Sequence, residues 1–207
     1  MHRPVLVSPP AILPVSLADT KLHLRVDHDE EDHLIEGLIE AATEYLDGWT
    51  GILGRCLVEQ EWRQDYDVFA RELCLPLGPV ISVTTVTWRN AAGQVATVPG
   101  ASYDLRTDTA GRSVVRFDDT YPFPRDLHES RAVGITYKAG WATIPAVPAN
   151  GDTPEIPAKS TVPAPLKVAI MLMVGNWYEN REAASGGLAP LPFAVDALIA
   201  PYRKLGL

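Results

Sequence analysis

The sequence has little cysteine, with only Cys56 and Cys74 in 207 residues and no Cys-x-x-Cys spacing. Two cysteines in unlike local contexts do not make a disulfide framework, so we expect both thiols to be free. No apolar run approaches the roughly 18–20 residues that a membrane-spanning helix needs, so we expect no membrane partner. The start, Met1-His2-Arg3-Pro4, lacks the apolar run of a secretory signal, and we expect none.

Catalytic and cofactor-binding signatures are also missing. The chain contains no G-x-S-x-G, H-E-x-x-H, P-loop or G-x-G-x-x-G motif, and its histidines and cysteines are too scattered for a zinc site. Asp27, Asp29 and Glu31 alternate like the start of a calcium loop, but the glycine at loop position six and the glutamate at position twelve are missing. We therefore predict no catalytic residue, no cofactor and no metal ligand, and an enzyme is disfavoured.

Positive charge is scarce in one stretch near the start of the chain. Residues 16–50 contain only two cations, Lys21 and Arg25, beside ten carboxylates, so this stretch has a net charge of −8 and the other 172 residues sum to zero. A surface of this sign repels nucleic acid in solution. The ten carboxylates are Asp19, Asp27, Asp29, Glu30, Glu31, Asp32, Glu36, Glu40, Glu44 and Asp47.

The acidic stretch also has the apolar spacing of helices. Ser16 is a good N-cap for a short helix from Leu17 to about Arg25. Asp27 or Asp29 can cap a second, longer helix that ends at Gly51, and the helix dipole favours carboxylates in its first turn. The first-turn acids are Glu30, Glu31 and Asp32; the apolar stripe is Leu34, Ile35, Leu38, Ile39, Ala42, Tyr45, Leu46 and Trp49; and the acidic row beside it is Glu36, Glu40, Glu44 and Asp47.

After residue 55 the period changes from helical to a two-residue alternation, which is typical of β-strands. Seven segments rich in Val, Thr, Ile, Tyr and Trp are predicted as strands, with turn residues between them. They are Leu57–Arg63, Glu72–Leu75, Val80–Arg89, Val95–Val98, Tyr103–Arg106, Val114–Phe117 and Ala132–Ala139. So many short strands in succession indicate a small antiparallel sandwich or barrel.

Helix returns near the end of the chain. Pro165 suits the first turn of a helix from Leu166 to Glu182, which is apolar nearly all round and is therefore expected to be buried. Residues 185–187 break this helix, and Pro192 opens a final short one. The sequence thus predicts an α+β fold in which the N- and C-terminal helices pack as one helical bundle, with an antiparallel β-rich insertion between them.

These elements predict three regions of the chain. Residues 1–55 plus 160–207 form a helical core with an extended N-terminal arm and a C-terminal tail. Residues 56–145 form the β-rich insertion, and residues 146–163 form a Pro-rich linker.

Several motifs at the two ends of the chain occur in a characteristic order. They are Pro14–Asp19, Leu22–Asp27, Asp29–Asp32, Leu34-Ile35, Ala41–Leu46 and Thr50-Gly51 near the start, and Pro163–Lys167, Ala169-Ile170, Asn176–Glu182 and Pro201–Arg203 near the end. In this order they resemble the head–tail connector proteins (adaptor or head-completion proteins) of long-tailed bacteriophages and of phage-derived gene transfer agents. The resemblance covers both helical ends, and it covers the β region only by position and length.

The resemblance implies a structural role in the neck of a phage or gene-transfer-agent particle that is assembled in the bacterial host cytoplasm. Proteins of this family form a ring, typically of twelve copies, under the portal vertex of a DNA-filled capsid. They extend the DNA channel and provide the platform to which the stopper or tail attaches. The implied partners are other copies of the chain, a portal protein, a stopper or tail-terminator protein, and double-stranded DNA that passes through the lumen without tight binding.

Two sets of candidate interface residues follow from the resemblance. Each phosphate contact by Lys or Arg adds affinity for DNA, so a channel wall of carboxylates lets the duplex pass. An ordinary solvated helix face is the alternative interpretation of the acidic row. The candidate channel face is Asp29, Glu30, Glu31, Asp32, Glu36, Glu40, Glu44 and Asp47, and the candidate portal-docking segment is Pro201, Tyr202, Arg203, Lys204, Leu205 and Leu207.

Two other functions stay open at this point. One is a different neck or baseplate component whose β region makes the ring, although the apolar helical ends argue against it. The other is a metal-dependent hydrolase that uses the acidic and histidine residues between Asp27 and His33.

Overall fold

The computed structural model describes residues 1–149, 155–181 and 193–204. Its contacts divide the chain into two compact units, each made from two separate segments. The β unit contains Met1–Ala11 and Glu59–Trp141, and the helical unit contains Ile12–Val58 and Ala142–Leu207. The expected mixture of helices and antiparallel sheets is confirmed.

The β unit, all of whose residues are described, has eight strands in two antiparallel sheets. The strands are β1 (Val5–Ser8), β2 (Gln60–Tyr66), β3 (Glu72–Leu75), β4 (Val80–Arg89), β5 (Val95–Thr97), β6 (Tyr103–Thr107), β7 (Ser113–Phe117) and β8 (Val133–Ala139). One sheet has the order β1-β2-β8-β4-β5, and the other has the order β3-β7-β6. All seven predicted strands are found, although β2 begins and ends later than expected.

The proline-rich start of the chain predicts an extended arm, and the structure shows that its middle part is an edge strand. β1 pairs antiparallel with β2, and Leu6 lies opposite Trp62. Pro4 and Pro9 flank the strand, and an edge position tolerates proline because only one side of the strand needs ladder hydrogen bonds. Residues 1–11 therefore belong to the β unit, whereas the sequence predicted them as an extended arm of the helical core.

The two-residue alternation in the sequence corresponds to one buried face of the large sheet. In β8, Val133, Ile135, Tyr137 and Ala139 are fully buried, whereas the residues between them are at least partly exposed. Successive side chains of a strand point to opposite faces, so this pattern places an apolar core on one side and a polar surface on the other.

Phe117, the last residue of β7, lies at the centre of an aromatic cluster. Its ring is fully buried and lies 5.4 Å from the ring of Phe69, 5.7 Å from that of Tyr121 and 5.6 Å from that of Phe123. Aromatic pairs at such distances stabilise a fold beyond the effect of their buried area. The three-stranded sheet therefore depends on rings that lie outside its own strands.

The helical unit contains four α-helices within its described residues: α1 (Leu17–Leu24), α2 (Asp32–Leu46), α3 (Ala164–Glu179) and α4 (Phe193–Ile199). α3 contacts each of the other three helices, so helices from both ends of the sequence meet on it. None of the helices in the described ranges combines the length and the apolar character needed to cross a membrane. The fully buried apolar residues of these helices are Ile35, Ile39, Ala42 and Leu46 of α2, Leu166, Ala169, Ile170, Met173 and Val174 of α3, and Val195 and Ile199 of α4.

The predicted N-cap of α1 agrees with the structure, whereas the predicted N-cap of α2 does not. The predicted cap of α1 is confirmed, because the Ser16 hydroxyl accepts a hydrogen bond of 3.0 Å from the Asp19 backbone N–H. α2 begins only at Asp32, and its N-cap residue Glu31 makes no side-chain cap hydrogen bond. The prediction that residue 27 or 29 caps this helix is therefore wrong, and Asp29 precedes the helix.

α2 also ends earlier than predicted. The helix ends at Leu46, because Asp47 has extended dihedral angles and Gly48 follows with a φ of 76°. Positive φ values suit glycine, which has no Cβ to clash with the backbone. The predicted end at Gly51 is wrong, and Trp49 of the predicted stripe lies beyond the helix.

The Pro-rich segment predicted as a linker contains paired backbone. β9 (Thr143–Ile144) and β10 (Lys159–Ser160) form an antiparallel pair, and Val147 and Ile156 form an isolated bridge. In its described part, the range 146–163 that the sequence predicted as a Pro-rich linker contains β10 and this bridge. The predicted helix break at 185–187 and the helix start at Pro192 lie outside the described residues.

Replacement of Phe117 by alanine tests the aromatic cluster. We expect a loss of about 3–5 kcal/mol in the free energy of unfolding of the β unit, because the substitution leaves a cavity among the neighbouring rings. Urea unfolding followed by near-ultraviolet circular dichroism measures it. The control is Phe193→Ala, at a side chain that is 88% exposed, for which we expect a change within about 0.5 kcal/mol. Equal losses in the two variants would contradict the assignment.

Candidate functional site

The eight acidic residues proposed as a channel face divide into two groups in the structure. Residues near the two ends of α2 bind partners within the helical unit. Residues along the middle of α2 are exposed to solvent. The carboxylates of the first group are held in hydrogen bonds and ion pairs inside the protein. Those of the second group face solvent.

Lys21 of α1 pairs with two of the carboxylates before and at the start of α2. Its Nζ donates hydrogen bonds of 2.6 Å to Asp29 and 2.7 Å to Asp32. These bonds raise the pKa of Lys21, and the bond from Lys21 lowers the pKa of Asp29. The ion pairs connect α1 to the start of α2, so their first role is structural.

Glu31 connects the start of α2 to the end of α3. Its carboxylate accepts hydrogen bonds from the Tyr178 hydroxyl and, at 2.8 Å, from the Arg181 guanidinium. The same guanidinium lies 4.6 Å from the centre of the Tyr178 ring, a distance at which cations and aromatic rings attract. The bonds from Tyr178 and Arg181 lower the pKa of Glu31.

Asp47 at the other end of α2 is also engaged within the helical unit. Its side-chain Oδ1 accepts a hydrogen bond from the Leu57 backbone N–H, and its backbone forms a bridge with Arg55. A carboxylate in this position fixes the turn that follows the helix. The spacing in the sequence predicts Asp47 as a member of the acidic row, but in the structure it lies past the end of the helix.

Glu36, Glu40 and Glu44 form the exposed acidic row of α2. They are one turn apart, and all three are exposed. Within the described part of the chain, the Glu36 carboxylate lies 3.6 Å from His33 Nδ1, and neither Glu40 nor Glu44 makes an ion pair or hydrogen bond through its carboxylate. Like charges at i and i+4 destabilise a helix by about 0.2–0.5 kcal/mol per pair. Helix stability therefore does not account for this row.

The surface beside the acidic row includes apolar side chains of α2. Leu34 is 40% exposed and Tyr45 is 41% exposed. Both belong to the stripe that the sequence predicted as apolar, so the stripe is wider than the face of α2 that is buried. Glu30 is exposed as well and precedes the helix.

The described part of the candidate portal-docking segment, residues 201–204, makes hydrogen bonds to other residues of the helical unit. The Arg203 guanidinium donates a hydrogen bond of 2.9 Å to Asp196 of α4, and the Lys204 backbone N–H donates one of 2.9 Å to the Leu53 carbonyl. Pro201 and Tyr202 lie in a 3₁₀ turn, Ala200–Tyr202. Leu205 and Leu207 lie outside the described residues.

The arrangement of the acidic and histidine residues bears on metal chemistry. Within residues 1–149, 155–181 and 193–204, no group of three or more His, Cys, Asp or Glu side chains is placed so as to hold a metal ion. Both cysteines are free, with Cys56 buried and Cys74 exposed.

The pairing of Glu31 predicts a pH-dependent stability. The pKa of Glu31 is lower in the folded state than its ordinary value of 4.5. The ionised carboxylate therefore stabilises the fold fully at pH values above 4.5, and this stabilisation is lost as the pH falls through the pKa of the folded state. We expect Glu31→Gln to lower the melting temperature at pH 7, and we expect the difference from the parent protein to shrink below pH 4.5. Thermal unfolding by circular dichroism measures both effects.

Glu30→Gln is the matched control for this experiment. Glu30 is the adjacent, exposed carboxylate, and within the described part of the chain its side chain makes no hydrogen bond or ion pair. A fall in melting temperature as large for Glu30→Gln as for Glu31→Gln would show that the Tyr178 and Arg181 contacts are not the cause.

Comparison with known proteins gives matches at the level of sequence and of fold. Residues 14–71, which contain α1 and α2, match the family model described as "Phage gp6-like head-tail connector protein". No curated protein sequence matches the chain.

Solved structures match the fold over the whole chain. A chain in the "Neck of empty GTA particle computed with C6 symmetry" has a TM-score of 0.73 and 23% identity, and the match covers 100% of this chain and 97% of that one. A chain in the "Virion of native gene transfer agent (GTA) particle" gives the same values. A chain in the "Neck of native GTA particle computed with C12 symmetry" has a TM-score of 0.67 and 21% identity over the same coverage.

These matches confirm the resemblance that the sequence motifs indicated. In residues 14–71 the chain is similar to phage gp6-like head–tail connector proteins, and over its whole length it has the fold of chains solved in gene transfer agent particles.

Proposed function

We propose that this protein is a structural head–tail connector that forms a ring in the neck of a phage or gene-transfer-agent particle and has no catalytic role. The family match over α1 and α2 supports the connector role. The likeness of fold to a chain in a neck with C12 symmetry supports a ring of twelve copies. The neck is accordingly the proposed location of the protein, after assembly in the host cytoplasm.

The exposed row of Glu36, Glu40 and Glu44 is the observation that supports a DNA-facing surface. Contacts between Lys or Arg and phosphates add affinity and would slow a moving duplex. A row of carboxylates with no Lys or Arg partner among the described residues repels the duplex and lets it pass. Asp29, Glu31, Asp32 and Asp47 contribute less to such a surface, because each has a partner within the helical unit.

The helical unit is the proposed connector core. Its α1 and α2 lie in the region that matches the connector family, and the contacts of α3 with α1, α2 and α4 support the arrangement of these helices as one bundle. In this proposal residues 1–55 and 160–207 contribute to that core, apart from residues 1–11, which pair with the β unit.

The portal protein and a stopper or tail-terminator protein are the proposed protein partners. Residues 201–207 are proposed to dock on the portal. The contacts of Arg203 and Lys204 with the helical unit support this role for the described part, because they hold the base of the segment against α4 and Leu53.

Electron microscopy of the particle neck tests the proposed role. In particles that contain this chain with a C-terminal tag, we expect the tag label on a ring at the exit of the portal. Label that is scattered over the capsid shell, or a chain that is absent from purified particles, would contradict the connector role.

Reversal of the charge of the acidic row tests the DNA-facing surface. We expect the triple variant Glu36→Lys, Glu40→Lys, Glu44→Lys to bind a short DNA duplex that the parent protein does not bind. Its log affinity should fall with log salt concentration by about 0.9 for each phosphate contacted. Fluorescence anisotropy measures the binding, and particles carrying the variant should deliver less DNA.

A second triple variant with the same net charge is the control. Asp126→Lys, Glu155→Lys, Glu179→Lys changes three exposed carboxylates that lie far apart in the sequence. If this control reduces DNA delivery as strongly as the first variant, net charge and not the α2 row is responsible, and the row is an ordinary solvated face.

A further inference from the structure

A cavity of about 440 Å³ opens on the polar face of the five-stranded sheet, entirely within the β unit. Three neighbouring strands form its floor, where Asp65 of β2 and Thr87 of β4 flank Gly134 of β8 in register. The segment that leads into β8, with His128 and Arg131, lines one side. The volume falls in the range of roughly 300–1,000 Å³ that is usual for ligand sites.

Gly134 keeps the floor of this cavity open. A Cβ at this position would lie 3.3 Å from Asp65 Oδ1 and 3.3 Å from Thr87 Oγ1, which is tighter than ordinary contact. A glycine inside a strand weakens the strand, and it often marks a place where a ligand or another chain approaches closely. The missing side chain is therefore a feature of the cavity.

Positive charge dominates the cavity walls. Asp65 is the carboxylate in the lining, and its side chain is only 7% exposed. It accepts hydrogen bonds of 3.0 and 3.2 Å from the Arg63 guanidinium, which neutralises it. Two further guanidinium groups, those of Arg89 and Arg131, make no hydrogen bond or ion pair with any described residue.

The backbone holds Arg131 at the rim in an unusual conformation. Its φ is 51°, in the left-handed region that residues other than glycine rarely adopt. The Arg131 backbone N–H donates a hydrogen bond of 2.9 Å to Asp67, which also accepts one from His2. These bonds lower the pKa of Asp67 to about 2, so its carboxylate is charged at neutral pH. Strained backbone of this kind is concentrated at sites that bind ligands.

We propose that this cavity binds an acidic segment of another protein, with a carboxylate of that segment accepting hydrogen bonds from the guanidinium groups of Arg89 and Arg131. Guanidinium groups are planar and pair with carboxylates through two parallel hydrogen bonds. Val95 in the lining provides apolar contact for the rest of the segment. The proposal uses only the β unit, and it does not depend on the connector role or on the acidic row of α2.

A protein carboxylate fits the cavity better than DNA does. The cavity is concave, whereas the phosphates of a duplex lie on a convex surface. The chain has a net charge of −8, and a long polyanion would be repelled by the rest of the protein. A short acidic segment brings a few charges to one point and avoids most of this repulsion.

Fluorescence anisotropy of the full chain with a fluorescein-labelled hexaglutamate peptide tests the site. We expect saturable binding that weakens as salt is added. We expect the double variant Arg89→Gln, Arg131→Gln to weaken it about a hundredfold or more, because each of the two lost charge-assisted hydrogen bonds is worth about tenfold or more. Gly134→Ala should also weaken binding, although it keeps both arginines, because it fills the floor.

Arg125→Gln is the matched control, because Arg125 is an exposed arginine of the β unit outside the cavity. We expect it to bind the peptide as the parent chain does. Thermal unfolding checks that each variant is folded, and the single variant Arg89→Gln replaces the double variant if the latter does not fold. The proposal is overturned by absence of saturable peptide binding, by equal weakening in Arg125→Gln, or by tighter binding of a labelled DNA duplex than of the peptide.

Discussion

Burial of α3 is the constraint that ties the two ends of this chain together in the helical unit. Leu166, Ile170 and Met173 are fully buried, and each such side chain contributes about 1.5–3 kcal/mol relative to an exposed one. The helices that cover α3 come from both the N-terminal and the C-terminal segment. Neither segment can bury its apolar face alone, so the helical unit needs both. The exposed acidic row lies on α2, whose buried face packs against α3.

Some carboxylates of the acidic stretch stabilise the packing of the helices, and others do not contribute to it. Those beside α1 and α3 have cationic or hydroxyl partners and join the helices to one another, as Glu31 does with Tyr178 and Arg181. Glu36, Glu40 and Glu44 repel one another along the helix, and the buried side of α2 has to offset that cost. The mutual repulsion of these three glutamates lowers the stability of α2. Their presence is therefore consistent with selection for a negatively charged surface. The β unit has a local positive charge instead, at the cavity lined by the guanidinium groups of Arg89 and Arg131, which make no hydrogen bond or ion pair with any described residue.

Much of the fold could be predicted from the sequence, because alternation and helical spacing report directly on which face of an element is buried. The strands β3 and β4 have the predicted bounds, and the helix start at Leu17 is as predicted. The errors occur where a partner distant in the sequence decides the outcome. Neither Asp27 nor Asp29 caps α2, because the helix starts later, at Asp32, and the carboxylate of its N-cap residue Glu31 binds Tyr178 and Arg181 almost 150 positions later. β1 is a strand because β2 offers it an edge, and the arginine cavity draws on three separate segments that share no motif.

The insertion of the β unit within the helical unit has a consequence for the order in which the protein forms. The second segment of the β unit, Glu59–Trp141, begins and ends at one point, where the Glu59 backbone N–H donates a hydrogen bond of 3.1 Å to the Trp141 carbonyl. During synthesis on the ribosome, its last strand emerges before α3 exists, and domains generally fold as units as they emerge. The apolar faces of α1 and α2 that contact α3 then stay uncovered until the residues of α3 have been synthesised. The acidic row of α2 is therefore synthesised before the α3 residues that cover the buried side of the same helix.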